Sequence, residues 1–174
     1  GSDPAEDRKF VALIGDASIA TGVAFEALNH AGVLGQDLLV ILNDNEMSIS
    51  KSVGAFSEYL SKIRAGHLYN EIKEGLHHLI QAIPVVGEKL DKSLHEMKDS
   101  VLNAIKPGYL FEALGPRYFG PVNGHDLKHL IAILSDLKRQ RGFRLLHVIT
   151  EKGRGHIDAM RDPIKWHGVS PKVA

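Results

Sequence analysis

The sequence contains no cysteine, which excludes disulfides, thiolate nucleophiles and cysteine-ligated zinc together. It also lacks an excess of charge of either sign. Its 21 Lys and Arg balance 21 Asp and Glu, so no net field draws the chain to nucleic acid or to an anionic membrane. Long hydrophobic runs are missing too: the longest, Leu38 to Leu42 among them, fall far short of the roughly 20 apolar residues a bilayer requires. No basic stretch followed by an apolar one opens the chain, so no signal peptide is expected and a reducing cytoplasm is the default compartment. Gly1-Ser2 reads as the remnant of a removed tag.

What is present is enough apolar residue, 44% of 174, for one packed domain or most of one. Phe10 to Ile14 is a short apolar run without helical period, and it predicts a strand buried on both faces of a parallel sheet. Ser18 then caps a helix expected to run to about Ala31 and to stop at Gly32. That helix is apolar over most of its girth, which predicts burial. Leu38 to Leu42 is a second strand ending at Asn43-Asp44-Asn45, which completes a βαβ unit. From Ser52 to Lys106 the pattern turns helical and amphipathic, punctuated by Pro84 and closed by Pro107. The sheet pattern returns at Tyr118 to Gly120. An amphipathic helix follows from Leu127 to Arg139, with Leu130, Ile131, Leu134 and Leu137 inward, and then a strand from Phe143 to Ile149. Thr150 to Gly155 reads as a glycine-rich turn, and Ile157 to Ala174 as mostly irregular. The fold class is α/β with a mostly parallel sheet.

In open parallel sheets, ligands bind beyond the carboxyl ends of the strands. Two polar clusters fall at such ends, Gly15-Asp16-Ala17-Ser18 and Asn43-Asp44-Asn45-Glu46-Met47. Asp16 offers a hard anionic oxygen, Asn45 a neutral amide oxygen, and the main-chain carbonyl of Met47 a third donor. Such a set suits Mg2+, which takes a few protein oxygens and completes its octahedron with phosphate and water. The helix near Ser18 would turn free N–H groups toward the phosphates. A plainer reading fits the same residues: Asp then Ser after a strand is a common N-cap, and Asn-Asp-Asn a common turn.

Longer strings sharpen the choice. Gly15-Asp16, the separation to Asn45, and the segments Ala24–Gly32, Leu42–Ser50, Gly120–Asp126 and Lys152–Gly155 resemble the thiamine-diphosphate-binding domain of the 1-deoxy-D-xylulose-5-phosphate synthase family. The likeness runs from Lys9 to Pro171. The Gly-Asp element and its distant Asn are shared by all thiamine-diphosphate enzymes. Asn-Asp-Asn-Glu-Met-Ser-Ile-Ser and Gly-His-Asp are much more specific to this synthase.

The resemblance implies Asp16 and Asn45 as Mg2+ ligands, with the Met47 carbonyl as a third. It places the backbone N–H groups of Ala17 and Ser18 on the diphosphate and lets Asn45 touch cofactor and metal alike. His156 stands near the cofactor where the family usually has tyrosine, and His167 at the active-site mouth against substrate, as the catalytic candidate. The implied fold is a partial doubly wound parallel sheet with a helical insertion. Residues 1–8 would be tag remnant and linker, 9–51 the metal and diphosphate unit, 52–107 the insertion and 108–174 the returning α/β segment. The implied activity is a transferase that condenses pyruvate with glyceraldehyde 3-phosphate to 1-deoxy-D-xylulose 5-phosphate and releases carbon dioxide, feeding isoprenoid, thiamine and pyridoxal synthesis. Its cofactors are thiamine diphosphate and Mg2+. The parent is implied to be a homodimer, cytoplasmic or plastidic in a plant, with no nucleic-acid or membrane partner; exposed sheet edges would favour self-association of this piece.

Three departures qualify the resemblance. Ala17 replaces the third glycine of Gly-Asp-Gly. If that position needs φ > 0 the change costs about 1 kcal/mol, and otherwise it is nearly silent. His156 adds a titratable ring in place of a tyrosine. The family's synthase is also a much longer, multi-domain chain, and the glutamate that activates the cofactor's aminopyrimidine belongs to another domain. This piece is therefore expected to anchor cofactor and metal without turning over. Rival readings are a transketolase or 2-oxoacid dehydrogenase component, which share the Gly-Asp site but lack the longer strings, and a non-catalytic binding module. Elsewhere, His125 and His129 have zinc-compatible spacing but no evident third ligand, and His77-His78 read as helix surface. Arg154 and Lys152 either reach a phosphate or cap carbonyls, and Trp166 is either a lid aromatic or packing.

Overall fold

Four apolar segments pair into one parallel sheet: β1 (Phe10–Gly15), β2 (Leu38–Asp44), β3 (Arg117–Asn123) and β4 (Arg144–Ile149), in the order β1-β2-β4-β3. The computed structural model describes residues 8–47, 52–66 and 108–168. Because the side chains of a strand alternate, β2 and β4 feed two separate cores. Val40, Leu42 and Leu145 go to one face with Ile19, Leu28, Leu60, Ile63 and Phe111; Leu39, Leu146 and Val148 go to the other with Val122 and Leu137. Helix α2 (Gly22–Leu34), the helical residues 55–66 (α3) and α4 (Tyr109–Ala113) cover the first face, and α5 (Leu127–Arg139) covers the second. Helices on both faces of an all-parallel sheet make this a doubly wound α/β arrangement.

Several local expectations are corrected. No single helix runs from Ser18 to Ala31. A four-residue helix, α1 (Asp16–Ile19), ends where Thr21 N–H and Oγ1 both donate to Ser18 O, and α2 starts afresh after Thr21. Gly32 does not stop the helix, which runs on to Leu34 and ends at Gly35 in the left-handed region. Gly32 instead allows close approach: a Cβ there would lie 2.0 Å from the Leu114 carbonyl oxygen.

Strand β1 is not buried on both faces. It is the sheet edge, and Phe10, Val11 and Leu13 are largely exposed. Nor is α2 buried all round. Ala24, Ala27 and Leu28 face the sheet, while Val23 and Val33 stand out, with Val33 83% exposed. Both departures have one cause: among the described residues nothing packs outside β1 or over the outer side of α2.

On α5 the inward positions are Leu130, Ile133, Leu134 and Leu137, whereas Ile131 faces out. Strand β3 extends on both sides of Tyr118–Gly120, and a short helix, α6 (Ile157–Arg161), and a 3₁₀ turn (Lys165–His167) interrupt the stretch expected to be irregular. The expected helices between 67 and 107, including His77, His78 and Pro84, lie outside the described residues.

Candidate functional site

Parallel pairing brings all four strand carboxyl ends to one side of the sheet. The register Gly15↔Asn43 sets Asp16 next to Asp44 and Asn45, and Asp44↔Ile149 brings Thr150 alongside. Hydrogen bonds stitch this rim together. Thr150 N–H donates to Asp44 O at 2.8 Å, Thr150 Oγ1 to Asn43 Oδ1 at 2.7 Å, and Gly124 N–H to Ile149 O at 2.8 Å.

Asp16 opens α1 and is only 6% exposed. The Ser52 hydroxyl donates to its Oδ2 at 3.3 Å. Burial, and then repulsion from the Asp44 carboxylate, raise its pKa above the ordinary aspartate value, against the Ala17 N–H and the Ser52 hydroxyl, which favour the ionised form. No cationic side chain pairs with Asp16 among the described residues.

Asp44 has the opposite surroundings. It is 1% exposed, with His147 Nε2 2.8 Å from Oδ2 and the Arg64 guanidinium on Oδ1. Burial works to raise its pKa, but the His147 hydrogen bond and the Arg64 charge outweigh it and hold the carboxyl below its usual range. Two neighbouring carboxylates thus differ sharply: the charge of Asp44 is compensated and that of Asp16 is not.

The turn after β2 is shaped by side chains on its own backbone. Glu46 N–H donates to Asp44 Oδ1 at 3.3 Å, and Met47 N–H to Asn45 Oδ1 at 2.9 Å. Glu46 has φ 59°, the one non-glycine with positive φ among the described residues. Ala17 therefore sits in ordinary helical backbone, and its replacement of glycine carries no φ penalty. The neighbouring Ser18 is exposed. From above, α3 buttresses the turn. Ser61 Oγ reaches Glu46 Oε1 at 3.3 Å, Arg64 Nε lies 3.3 Å from that same oxygen, and Ser52 N–H donates to Glu46 O at 3.2 Å.

The more distant candidates make local contacts. His156 caps α6, its Nδ1 accepting from Ala159 N–H at 3.2 Å, and its ring lies 4.6 Å from that of Trp166. His167 lies in the 3₁₀ turn, exposed, its N–H donating to Ile164 O. Arg154 pairs with Glu151 at 2.7 Å. His125 Nε2 accepts from Glu151 N–H at 2.8 Å, while Asp126 caps α5 through His129 N–H, so both histidine positions serve local structure.

Sequence reading passed over Ser52, Arg64, Tyr118 and His147. A histidine inside the apolar strand Arg144–Ile149 was the available signal, because a buried polar group requires a partner.

An all-parallel α/β sheet with an oxygen-rich cluster beyond its strand ends defines the class of cofactor- and ligand-binding doubly wound proteins. A family model described as 1-deoxy-D-xylulose-5-phosphate synthase matches residues 2–150. Relatives carrying that name include proteins of Syntrophomonas wolfei, 48% identical over 166 residues (95% of this chain, 26% of the relative), and Nitrosococcus oceani, 46% identical over 170 residues (98% and 26%). A Shewanella amazonensis relative is 48% identical over 162 residues (93% and 25%). The chain belongs to the 1-deoxy-D-xylulose-5-phosphate synthase family, and it spans about a quarter of the length of the curated relatives it matches.

Proposed function

We propose that this chain is the thiamine-diphosphate- and Mg2+-anchoring part of a 1-deoxy-D-xylulose-5-phosphate synthase, acting on pyruvate and glyceraldehyde 3-phosphate. The observation that carries the reading is Asp16: a buried carboxylate at the tip of β1, beside a second carboxylate, with no cation paired to it among the described residues. A divalent ion would supply the missing charge. The donor set fits Mg2+, since it is made of hard oxygens throughout. Asp16 contributes an anionic oxygen. Asn45 Oδ1 keeps a lone pair after accepting from Met47 N–H, and the Met47 carbonyl is the third donor.

Ala17 and Ser18 fall in the first turn of α1, and their backbone N–H groups would bind the diphosphate, that of Ala17 while also facing the Asp16 carboxylate. Thiamine diphosphate, when bound, supplies the electron sink for breaking and making carbon–carbon bonds. The chain's own part is to hold and orient it. In this reading His156 contacts the cofactor and His167 the substrate, both from exposed positions on the segment after β4. The reading also takes residues 9–174 as part of one thiamine-diphosphate-binding domain and the parent as a cytoplasmic homodimer. The exposed apolar edge at β1 supports association, and no helix among the described residues is long and apolar enough to cross a membrane.

Calorimetry tests it. Mg2+-dependent binding of thiamine diphosphate by this chain should vanish in Asp16→Ala, and equal affinity in both forms removes Asp16 from the site. No product from pyruvate and glyceraldehyde 3-phosphate is expected from this chain alone, which spans about a quarter of its relatives.

A further inference from the structure

A line of polar groups, half-buried at Tyr118 and buried at His147 and Asp44, runs across the sheet toward the rim. The Tyr118 hydroxyl on β3 lies 2.8 Å from His147 Nδ1 on β4, and His147 Nε2 lies 2.8 Å from Asp44 Oδ2 on β2. His147 has no exposed surface. An ionised Asp44 only accepts, so Nε2 carries the hydrogen of that contact, and in the neutral imidazole Nδ1 then accepts from the Tyr118 hydroxyl. The other Asp44 oxygen takes the Glu46 N–H and the Arg64 guanidinium. His147 Nε2, the Glu46 N–H and the Arg64 guanidinium therefore all meet one carboxylate, which Tyr118 reaches through His147.

That carboxylate sits directly before Asn45 and grips the amide of Glu46, the residue whose positive φ turns the chain toward Met47. An apolar core would not need this arrangement, because a buried histidine–aspartate pair must recover its lost hydration through hydrogen bonds that a hydrocarbon does without. What it does here is fix one side-chain orientation of Asp44, and through it the conformation of the next three residues.

We propose that Tyr118 and His147 are positioning residues, acting through Asp44 to hold the Asp44–Met47 turn in the conformation that presents Asn45 Oδ1 and the Met47 carbonyl to a divalent cation. The inference rests on the assignment of Asp16, Asn45 and Met47 as metal ligands, but its test does not depend on that assignment alone. Tyr118→Phe removes only the hydroxyl and keeps the ring stacked on Phe111, 5.8 Å between centroids.

The decisive readout is the amide NMR spectrum of this chain without metal. Tyr118→Phe should shift the Glu46 and Met47 amides, which no loss of local packing at Tyr118 would reach. Unmoved Glu46 and Met47 amides overturn the proposal. In the second readout, Mn2+ is titrated in the presence of thiamine diphosphate and followed by the EPR signal of the free ion. Affinity should fall about threefold to tenfold in Tyr118→Phe, the worth of one hydrogen bond. Unchanged affinity in Tyr118→Phe alongside a loss in Asp16→Ala overturns the positioning role and leaves the metal site standing. If the unsubstituted chain binds no Mn2+, the metal assignment fails and the amide shifts alone decide whether the turn is held this way. Should Tyr118→Phe not fold, the unsubstituted chain must still show a slowly exchanging low-field His147 Nε2–H proton, and its absence rejects the line.

Discussion

The Ser52 hydroxyl donates to Asp16 Oδ2 at 3.3 Å, although 36 positions separate the two residues. Ser52 also donates its backbone N–H to Glu46 O, so the chain leaving the β2 turn comes back over the tip of β1. The contact leaves Asp16 hydrogen-bonded but uncompensated in charge. Stability and function then pull in opposite directions at this residue.

Asp16→Asn should separate the two. The carboxamide removes the repulsion from Asp44 and the burial cost of a charge, and it still accepts from Ser52. A folded-state pKa raised above the unfolded one gives stability that is complete below the unfolded value and lost as pH rises through the folded one. At neutral pH, therefore, the metal-free variant should melt higher than the parent, while the rise in Tm produced by Mg2+ with thiamine diphosphate disappears. A variant that keeps that ligand-dependent rise would exclude Asp16 as a ligand.

Gly32 and Gly115 set the distance between α2 and the turn after α4. A Cβ on Gly32 would lie 2.0 Å from the Leu114 carbonyl oxygen, and one on Gly115 would lie 2.7 Å from the Gly32 Cα. Gly32→Ala should push α2 outward and cost about 1–3 kcal/mol in urea unfolding with an unchanged m-value. Gly22→Ala, with nothing within 4 Å of the added carbon, should cost nothing. Equal stability of the two variants would show that the crossing is loose.

Three of the four strands were legible from sequence by their apolar character, and β3 only in its middle, Tyr118–Gly120. Phe10–Ile14 and Leu38–Leu42 are apolar runs too short for helices, Phe143–Ile149 is apolar apart from Arg144 and His147, and Leu127–Arg139 carries its period of 3.6 openly. The polar rim was legible for the same reason, since Asp16 and Asn45 come within three residues of the ends of two such runs. Which apolar residues are covered was not legible, because composition does not say what packs against them. The heavily apolar α2 looks the same whether or not its outer face is met. The partners of Asp44 come from distant segments: His147 showed only as a polar residue within an apolar strand, and Arg64 carries no local pattern.

Asp37 should matter more than a surface aspartate normally does. It pairs with Lys9 at 3.7 Å, with Arg141 at 3.0 Å and with the buried Arg144 guanidinium, which also donates to Leu137 O at 2.6 Å and Gly142 O at 2.9 Å. Removing the carboxylate leaves a buried cation with carbonyls only, so Asp37→Ala should lose about 1–3 kcal/mol. Burial works to raise the Asp37 pKa, but Arg141, Arg144 and Lys9 lower it, so the stabilisation is complete above the unfolded carboxylate value and fades as pH falls through the folded one. The gap between parent and variant should be equal at pH 7 and pH 5 and close below about pH 4 in denaturant melts. A gap unchanged in acid would assign the loss to packing and not to charge.

Edge strand β1 exposes Phe10, Val11 and Leu13, Leu13 to 73%, beside backbone groups that, among the described residues, pair only on the β2 side. Natural edges are usually blunted by charge or proline, and between Phe10 and Gly15 this one has neither. Its apolar side chains and its open hydrogen-bonding edge favour addition of a further strand. This chain should therefore associate with rising concentration in sedimentation velocity. Leu13→Lys should suppress that association while leaving Tm nearly unchanged, because an exposed side chain away from the core moves stability by about 0.5 kcal/mol or less. A drop in Tm would instead mean that Leu13 is covered in solution. Monomers at every concentration in both forms would exclude β1 as an association edge.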